Sequence, residues 1–172
     1  MGYTHYWEYN KINLTESELI TLRGNLEEVI NRYKDIIQYE DDVEQSPELY
    51  IDWENNIVYI RFNGINESGH ETFFINKKNN TFCKTARKPY DQAVCECLLI
   101  YHHYGLLKID SDGFSNYSNT IYEKNQIIND EDIDGTWSES LENINQQLLT
   151  NYHFACKTYD KKTKNFNYNL KA

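Results

Sequence analysis

The chain has 172 residues, of which 40% are hydrophobic and 15% aromatic; it is long enough to bury a sizeable core and too apolar for a disordered or low-complexity class. A mean hydropathy of -0.78 and the lack of a long apolar run exclude a membrane-spanning helix. With 17 Lys and Arg against 27 Asp and Glu, the net charge of -10 argues against a broad duplex-binding surface, which needs a basic face to neutralise phosphates.

Met1 to Tyr9 alternates, with Tyr3, His5, Trp7 and Tyr9 on one side and Thr4, Tyr6 and Glu8 on the other, and predicts a strand. Thr15 and Glu18 form a capping-box signature. The apolar series Leu19, Leu22, Leu26, Val29, Tyr33 and Ile36 then predicts a helix from Glu16 to Gln38. The acidic stretch with Pro47 is a loop. Strands are expected at 49–53 and 57–63, joined by Asn55-Asn56, because Asn tolerates positive φ. Further strands at 70–76 and 81–85 complete an expected antiparallel meander.

Pro89 suits the first turn of a helix whose apolar face is Ala93, Val94, Cys97, Leu98 and Tyr101, with Gly105 as the stop. A short strand at 106–110 leads to the Ser111-Asp112-Gly113 turn. Phe114 to Asp134 is polar, Asn-rich and without a clear period. Thr136 and Glu139 suggest a second capping box before a helix carrying Trp137, Leu141, Ile144, Leu148 and Tyr152. Residues 157–172 read as a late strand or a frayed tail. The expectation is one α+β domain over 1–172: a mainly antiparallel sheet with about three helices packed on it.

Charge is unevenly spread. Seven acids and no base lie between Glu40 and Glu54, while five bases and no acid lie between Lys77 and Lys88. Without that second segment the balance is 12 against 27. A compact basic spot on an acidic body suits one small anion better than a polymer, and the competing reading is a solvated loop. Cys83, Cys95, Cys97 and Cys156 form no disulfide framework, and reduced thiols are expected. No basic region followed by an apolar stretch occurs in Met1 to Asn10, so the expected location is the cytoplasm.

The segment from Thr81 to Asp91 carries the strongest chemical pattern. A strand ends, a basic turn follows, and a helix starts. Helix N-termini favour anions through their unpaired N–H groups and partial positive charge. Lys84, Arg87 and Lys88 add charge, Thr85 a hydroxyl, and Tyr90 and Asp91 backbone donors; Asp91 could also orient a cation or a ribose hydroxyl. No glycine-rich loop is present, so a P-loop is excluded. The alternative is that Lys84 and Arg87 pair with Asp91 or with the acidic loop. Tyr3, His5, Trp7 and Tyr90 are candidate base contacts, weighed against plain burial of an aromatic row.

Other chemistries fare worse. Cys95 and Cys97 would diverge by about 200° on a helix, as would His102 and His103 to a lesser degree, so neither pair makes a zinc half-site. Asp110-x-Asp112-Gly113 resembles part of a calcium loop, but the twelfth position is Ile121. Glu71, Asp91, Asp110, Asp112, His5, His70 and a Cys83 thiol are candidate acid, base or nucleophile groups without a defensible set of nucleophile, base and orienting residue. No metal or cofactor is expected.

Met1-Gly2-Tyr3-Thr4-His5-Tyr6-Trp7 resembles the opening of a family of small uncharacterised proteins in bacteria and their phages. His70-Glu71-Thr72-Phe73, the run from Phe82 to Asp91 and Ser111-Asp112-Gly113 are similar to that family in order and rough spacing. The resemblance covers about residues 1–9 and 70–113 and departs at the C-terminal end, where bacterial members carry more Trp and Gly. It implies a motif map without an activity. The abundance of Asn, Ile, Lys and Tyr suggests an A+T-rich genome, consistent with a phage protein acting in the host cytoplasm.

The expected function is therefore a non-catalytic module that sequesters a small phosphorylated molecule or cyclic nucleotide, such as a second messenger in a phage counter-defence role. A small hydrolase or nucleotide-processing enzyme is the alternative, and an acidic protein-binding inhibitor is the third. Neither duplex nucleic acid nor membrane is expected as a partner, and a homo-oligomer remains open.

Overall fold

In the computed structural model, residues 2–40, 43–77, 80–114, 133–160 and 165–171 are described. The elements run β1 (Thr4–Tyr9), α1 (Glu16–Arg32), β2 (Ile37–Gln38), β3 (Glu48–Asp52), β4 (Ile57–Gly64), β5 (Phe73–Ile75), β6 (Phe82–Lys84), α2 (Asp91–His103), β7 (Leu107–Ser111), α3 (Gly135–Leu148), β8 (His153–Asp160) and β9 (Asn165–Lys171). All strand pairs are antiparallel, giving an α+β architecture with three helices.

Helix α1 begins as its sequence requires. The Glu18 amide donates to the Thr15 hydroxyl at 3.1 Å, and the Thr15 amide donates to the Glu18 carboxylate at 3.0 Å. The helix stops at Arg32, six residues before the expected end, because Ile37 and Gln38 pair with Gly64 and Asn63 as strand β2. Tyr33 and Ile36 still pack on the core, so they keep the apolar period without keeping the helix. The second capping box does not form. Asp134 caps α3 instead, its carboxylate accepting from the Thr136 amide at 3.0 Å.

The expected meander holds through three strands and then breaks. β3, β4 and β5 lie side by side, and Asn56 in the β3–β4 turn takes the expected left-handed conformation at φ 52°. β6 instead pairs with β1, which sits between β6 and β7 in a three-stranded sheet. The two sheets remain linked: the Glu71 amide donates to the Lys84 carbonyl at 3.3 Å, and the Lys84 amide to the Glu71 carboxylate at 2.8 Å. The tail expected at 157–172 contributes to the β8–β9 hairpin. The stretch 115–132, which includes Ile121, lies outside the described residues; Phe114 and Ile133 at its ends form an antiparallel bridge.

Helix α2 is the centre of the core. Residues from Ala93 to Tyr101 are all buried, as an almost wholly apolar helix demands. It packs against α1, α3 and β7. Leu19, Leu22, Leu26 and Val29 line the buried face of α1, while Val58, Ile60, Phe62, Phe73 and Ile75 line the inner face of the β4–β5 sheet. Two charged groups accompany α2 inside. Glu96 accepts from Arg32 of α1 at 2.6 Å and from the Tyr33 hydroxyl, and Asn143 of α3 reaches it at 3.3 Å. Asp91 stands at the helix start and belongs to the site described next. Among the described residues, no helix is long and apolar enough to cross a membrane.

Candidate functional site

Alternation along β1 turns Tyr3, His5 and Trp7 inward. The Tyr3 carbonyl accepts from the amides of Thr85 and Ala86, at 3.0 and 3.2 Å, so the N-terminal strand and the basic turn do meet. Ala86 and Arg87 both sit in the left-handed region, at φ 51° and 56°. Non-glycine residues occupy that region at a cost of roughly 1–2 kcal/mol each, so the turn is held there by its surroundings.

Inside the turn lies a polar cluster drawn from four elements. His5 Nδ1 is 2.7 Å from Ser111 Oγ, and His5 Nε2 is 2.5 Å from Asp91 Oδ1. The Thr85 hydroxyl also donates to Asp91 Oδ1, at 2.5 Å. Ser111 Oγ accepts from the Trp137 indole and from the Gly113 amide, each at 2.9 Å. Those two donors fill both acceptor positions of the serine oxygen, so its own proton goes to His5 Nδ1. The ring proton then sits on Nε2 and is donated to Asp91. The result is a directed chain from Ser111 through His5 to Asp91. His5, Thr85, Asp91 and Ser111 are all buried.

The same accounting bears on metal binding. His5, Asp91 and Cys95 bring one ligand atom each to within 4.8 Å of one another. Coordination by His5 would use Nε2, whose lone pair is replaced by a proton in the arrangement just derived. Burial, followed by the neighbouring Asp91, pushes the Cys95 thiol well above its ordinary value, which disfavours the thiolate that a metal needs. The other zinc candidates are separated: His102 Nδ1 meets the Leu107 carbonyl at 2.8 Å, and His103 Nδ1 the Tyr152 hydroxyl at 2.7 Å. Burial pushes the Cys83 thiol up to about 12, which disfavours the thiolate that a nucleophile needs.

The remaining predicted residues divide. Trp7 and Tyr90 are core residues; the Trp7 indole donates to the Asn80 carbonyl at 2.9 Å and the Tyr90 hydroxyl to the Glu71 carbonyl at 2.5 Å. The backbone donors expected from the start of α2 are already used, with the Tyr90 amide on the Ser68 carbonyl at 3.0 Å and the Asp91 amide on the Lys88 carbonyl at 2.8 Å. Arg87 stacks over the Tyr3 ring at 3.9 Å and pairs with Asp134, the cap of α3. Its partner is therefore neither Asp91 nor the acidic loop. Lys84 and Lys88 are half-buried and have no carboxylate partner among the described residues. The Lys84 side chain lies over Gly2, where an added Cβ would meet its Cε.

The opposite row of β1 supplies what the inner row does not. Tyr6 faces Phe82 across the β1–β6 pair, and both rings are exposed, at 44% and 50%. Lys84 is two residues from Phe82 and so shares this outer face. Asp110 of β7 borders Tyr6 on its other side. Tyr6 and Phe82 are the accessible rings that reasoning on the inner row missed. The signal was the alternation itself, which places Tyr6 opposite His5 in direction.

A separate cleft of about 430 Å³ lies between α3 and the start of β8, lined in part by Leu141, Glu142, Asn145, Tyr152 and His153. Among the described residues, its lining offers no lysine or arginine to a phosphate. Comparison of the chain with models of protein families, with curated proteins and with solved structures found no match.

Proposed function

We propose that the protein is a non-catalytic binding module for a small phosphorylated ligand with an aromatic base, such as a nucleotide second messenger. The reading rests on one observation: two exposed rings, Tyr6 and Phe82, stand opposite each other beside Lys84, which has no carboxylate partner among the described residues. Stacking on such rings contributes roughly 1–3 kcal/mol per base and tolerates different bases. Lys84 supplies a point charge for phosphate, and Asp110 an acceptor for an amino group on the base edge. Lys88 and Arg87 are the next cations along the chain. The inner residues His5, Thr85, Tyr90 and Asp91 fix the strand and the turn that display this face. Sequestration in a phage counter-defence role fits a small acidic protein of this kind.

Calorimetry with a panel of linear and cyclic nucleotides tests the reading. Binding by the wild type, weakened about tenfold by Phe82→Ala and by Lys84→Ala, is the expected result. Failure of every nucleotide to bind, or undiminished binding by both variants, rejects it.

A second reading, a small hydrolase, draws on the chain from Ser111 through His5 to Asp91, the order of groups used in hydroxyl nucleophile activation. It ranks behind because Ser111 is buried and both its acceptor positions are filled. Recovery of the ligand after incubation separates the two: unaltered ligand supports sequestration, and a changed product that disappears in Ser111→Ala supports hydrolysis.

A further inference from the structure

The outer face of β3 and β4 differs in character from the Tyr6–Phe82 face. Register places Tyr50 opposite Tyr59 and Glu48 opposite Arg61, with Phe74 of β5 on the other side of Arg61. The Tyr50 and Tyr59 rings are stacked, 4.7 Å apart and inclined by 19°. Tyr50 remains 44% exposed. Arg61 shows how this face holds a guanidinium. Its Cζ lies 5.1 Å from the Tyr39 ring and 5.5 Å from the Phe74 ring, and it pairs with Glu40. One planar cation is thus already bound by two aromatic rings and a carboxylate.

The adjoining part of the face repeats those ingredients, and among the described residues no cation stacks on its two rings. The stacked tyrosines adjoin Glu48, which has no ion-pair partner among the described residues, and the same holds for Glu44 and Glu54 nearby in sequence. Burial, then Glu48, then Tyr39 and Tyr50 push the Tyr59 hydroxyl up to about 12. The surrounding segment holds seven acids and no base between residues 40 and 54. Anionic ligands are repelled here, while rings with carboxylates attract cations.

We infer that the Tyr50–Tyr59 face docks an arginine-bearing basic segment of a partner protein, its guanidinium stacking on the tyrosine pair and pairing with Glu48. Arginine suits this face better than lysine because its planar head stacks on rings and is less strongly hydrated. Charge complementarity identifies the partner: an acidic body with an acid-flanked aromatic face selects a basic segment.

Fluorescence anisotropy with labelled oligo-arginine and oligo-lysine peptides of equal length tests this at low and moderate salt. The expected result is binding of oligo-arginine three- to tenfold tighter than oligo-lysine, as ring stacking of a guanidinium implies. Tyr50→Ala and Glu48→Gln should each weaken oligo-arginine severalfold, whereas Tyr50→Phe should keep the wild-type affinity. Equal affinity for the two peptides, or insensitivity to both Tyr50→Ala and Glu48→Gln, overturns the assignment by reducing the interaction to net charge. Tyr50-dependent binding of a single-stranded oligonucleotide in place of the peptide overturns it as well.

Discussion

Strand β1 carries two rows of side chains with opposite fates. Tyr3, His5 and Trp7 point inward and are buried, while Tyr6 points outward and is 44% exposed. The inner row holds richer chemistry, yet the hydrogen bonds of His5 and Trp7 are spent on Ser111, Asp91 and Asn80. The outer row is plainer and reachable. Chemical variety in a sequence therefore marks where polar groups must satisfy one another inside, and a poorer row can be the one that meets a ligand.

Substitutions can break this contrast. The largest effect is expected from Asp91→Ala, which leaves the His5 Nε2 proton and the Thr85 hydroxyl unpaired in the interior. At roughly 1–3 kcal/mol for each stranded group, the loss should be about 2–6 kcal/mol in a denaturant titration. An unchanged midpoint would mean that the inner cluster is not structural. Arg32→Ala should cost about 3 kcal/mol by stranding the buried Glu96 carboxylate, at the low end for such pairs because Arg32 is partly exposed. Adding Glu96→Gln should restore part of that loss, and no recovery would assign the effect to packing.

Tyr6→Ala belongs at the other extreme. Its stability should stay within about 0.5 kcal/mol of the wild type, while nucleotide affinity falls about tenfold or more. A variant that unfolds yet binds normally when folded would reverse the roles given to the two rows.

The response to pH sharpens the same contrast. Burial raises Cys83 from 9.0 to about 12 in the folded protein. Its contribution is fully present below the unfolded value and is lost as pH rises from about 9 toward 12, so the melting temperature should fall across that window. On the acid side, burial pushes Asp134 up, but Arg87 and the Thr136 amide outweigh it and hold the carboxyl below its usual 3.8. That contribution is present above 3.8 and lost as pH falls through the depressed value. Arg87→Ala should reduce the acid slope and leave the Cys83 part of the alkaline one unchanged, because the groups that shift that thiol do not include Arg87.

Much of the fold was legible in the sequence because the signals were local. The Thr15–Glu18 box, the Asn55-Asn56 turn and the apolar face of α2 act over a few residues. The misreadings needed distant partners. Nothing near Ile37 reveals that Gly64 will pair with it, and nothing near Lys84 reveals that β6 will leave its neighbours for β1. At the site, the motif stretches identified the segments that converge, since residues 3–7, 83–91 and 111–113 do meet around Asp91. Their individual roles were not legible. Ser111 reads as a turn residue, and Cys95 as a reduced thiol that makes no zinc half-site with Cys97, until His5 is placed beside both, 106 and 90 positions away in sequence.

The position of β1 also bears on how the chain assembles during synthesis. Its hydrogen-bonding edges are taken by residues 82–84 on one side and 107–111 on the other. A segment that leaves the ribosome before both of its partners must therefore wait, unpaired and rich in rings, until residue 111 has followed. Such long-range closure slows folding and exposes a sticky ribbon to neighbouring nascent chains. Productive expression should accordingly favour low temperature and few nascent chains at a time over high yield.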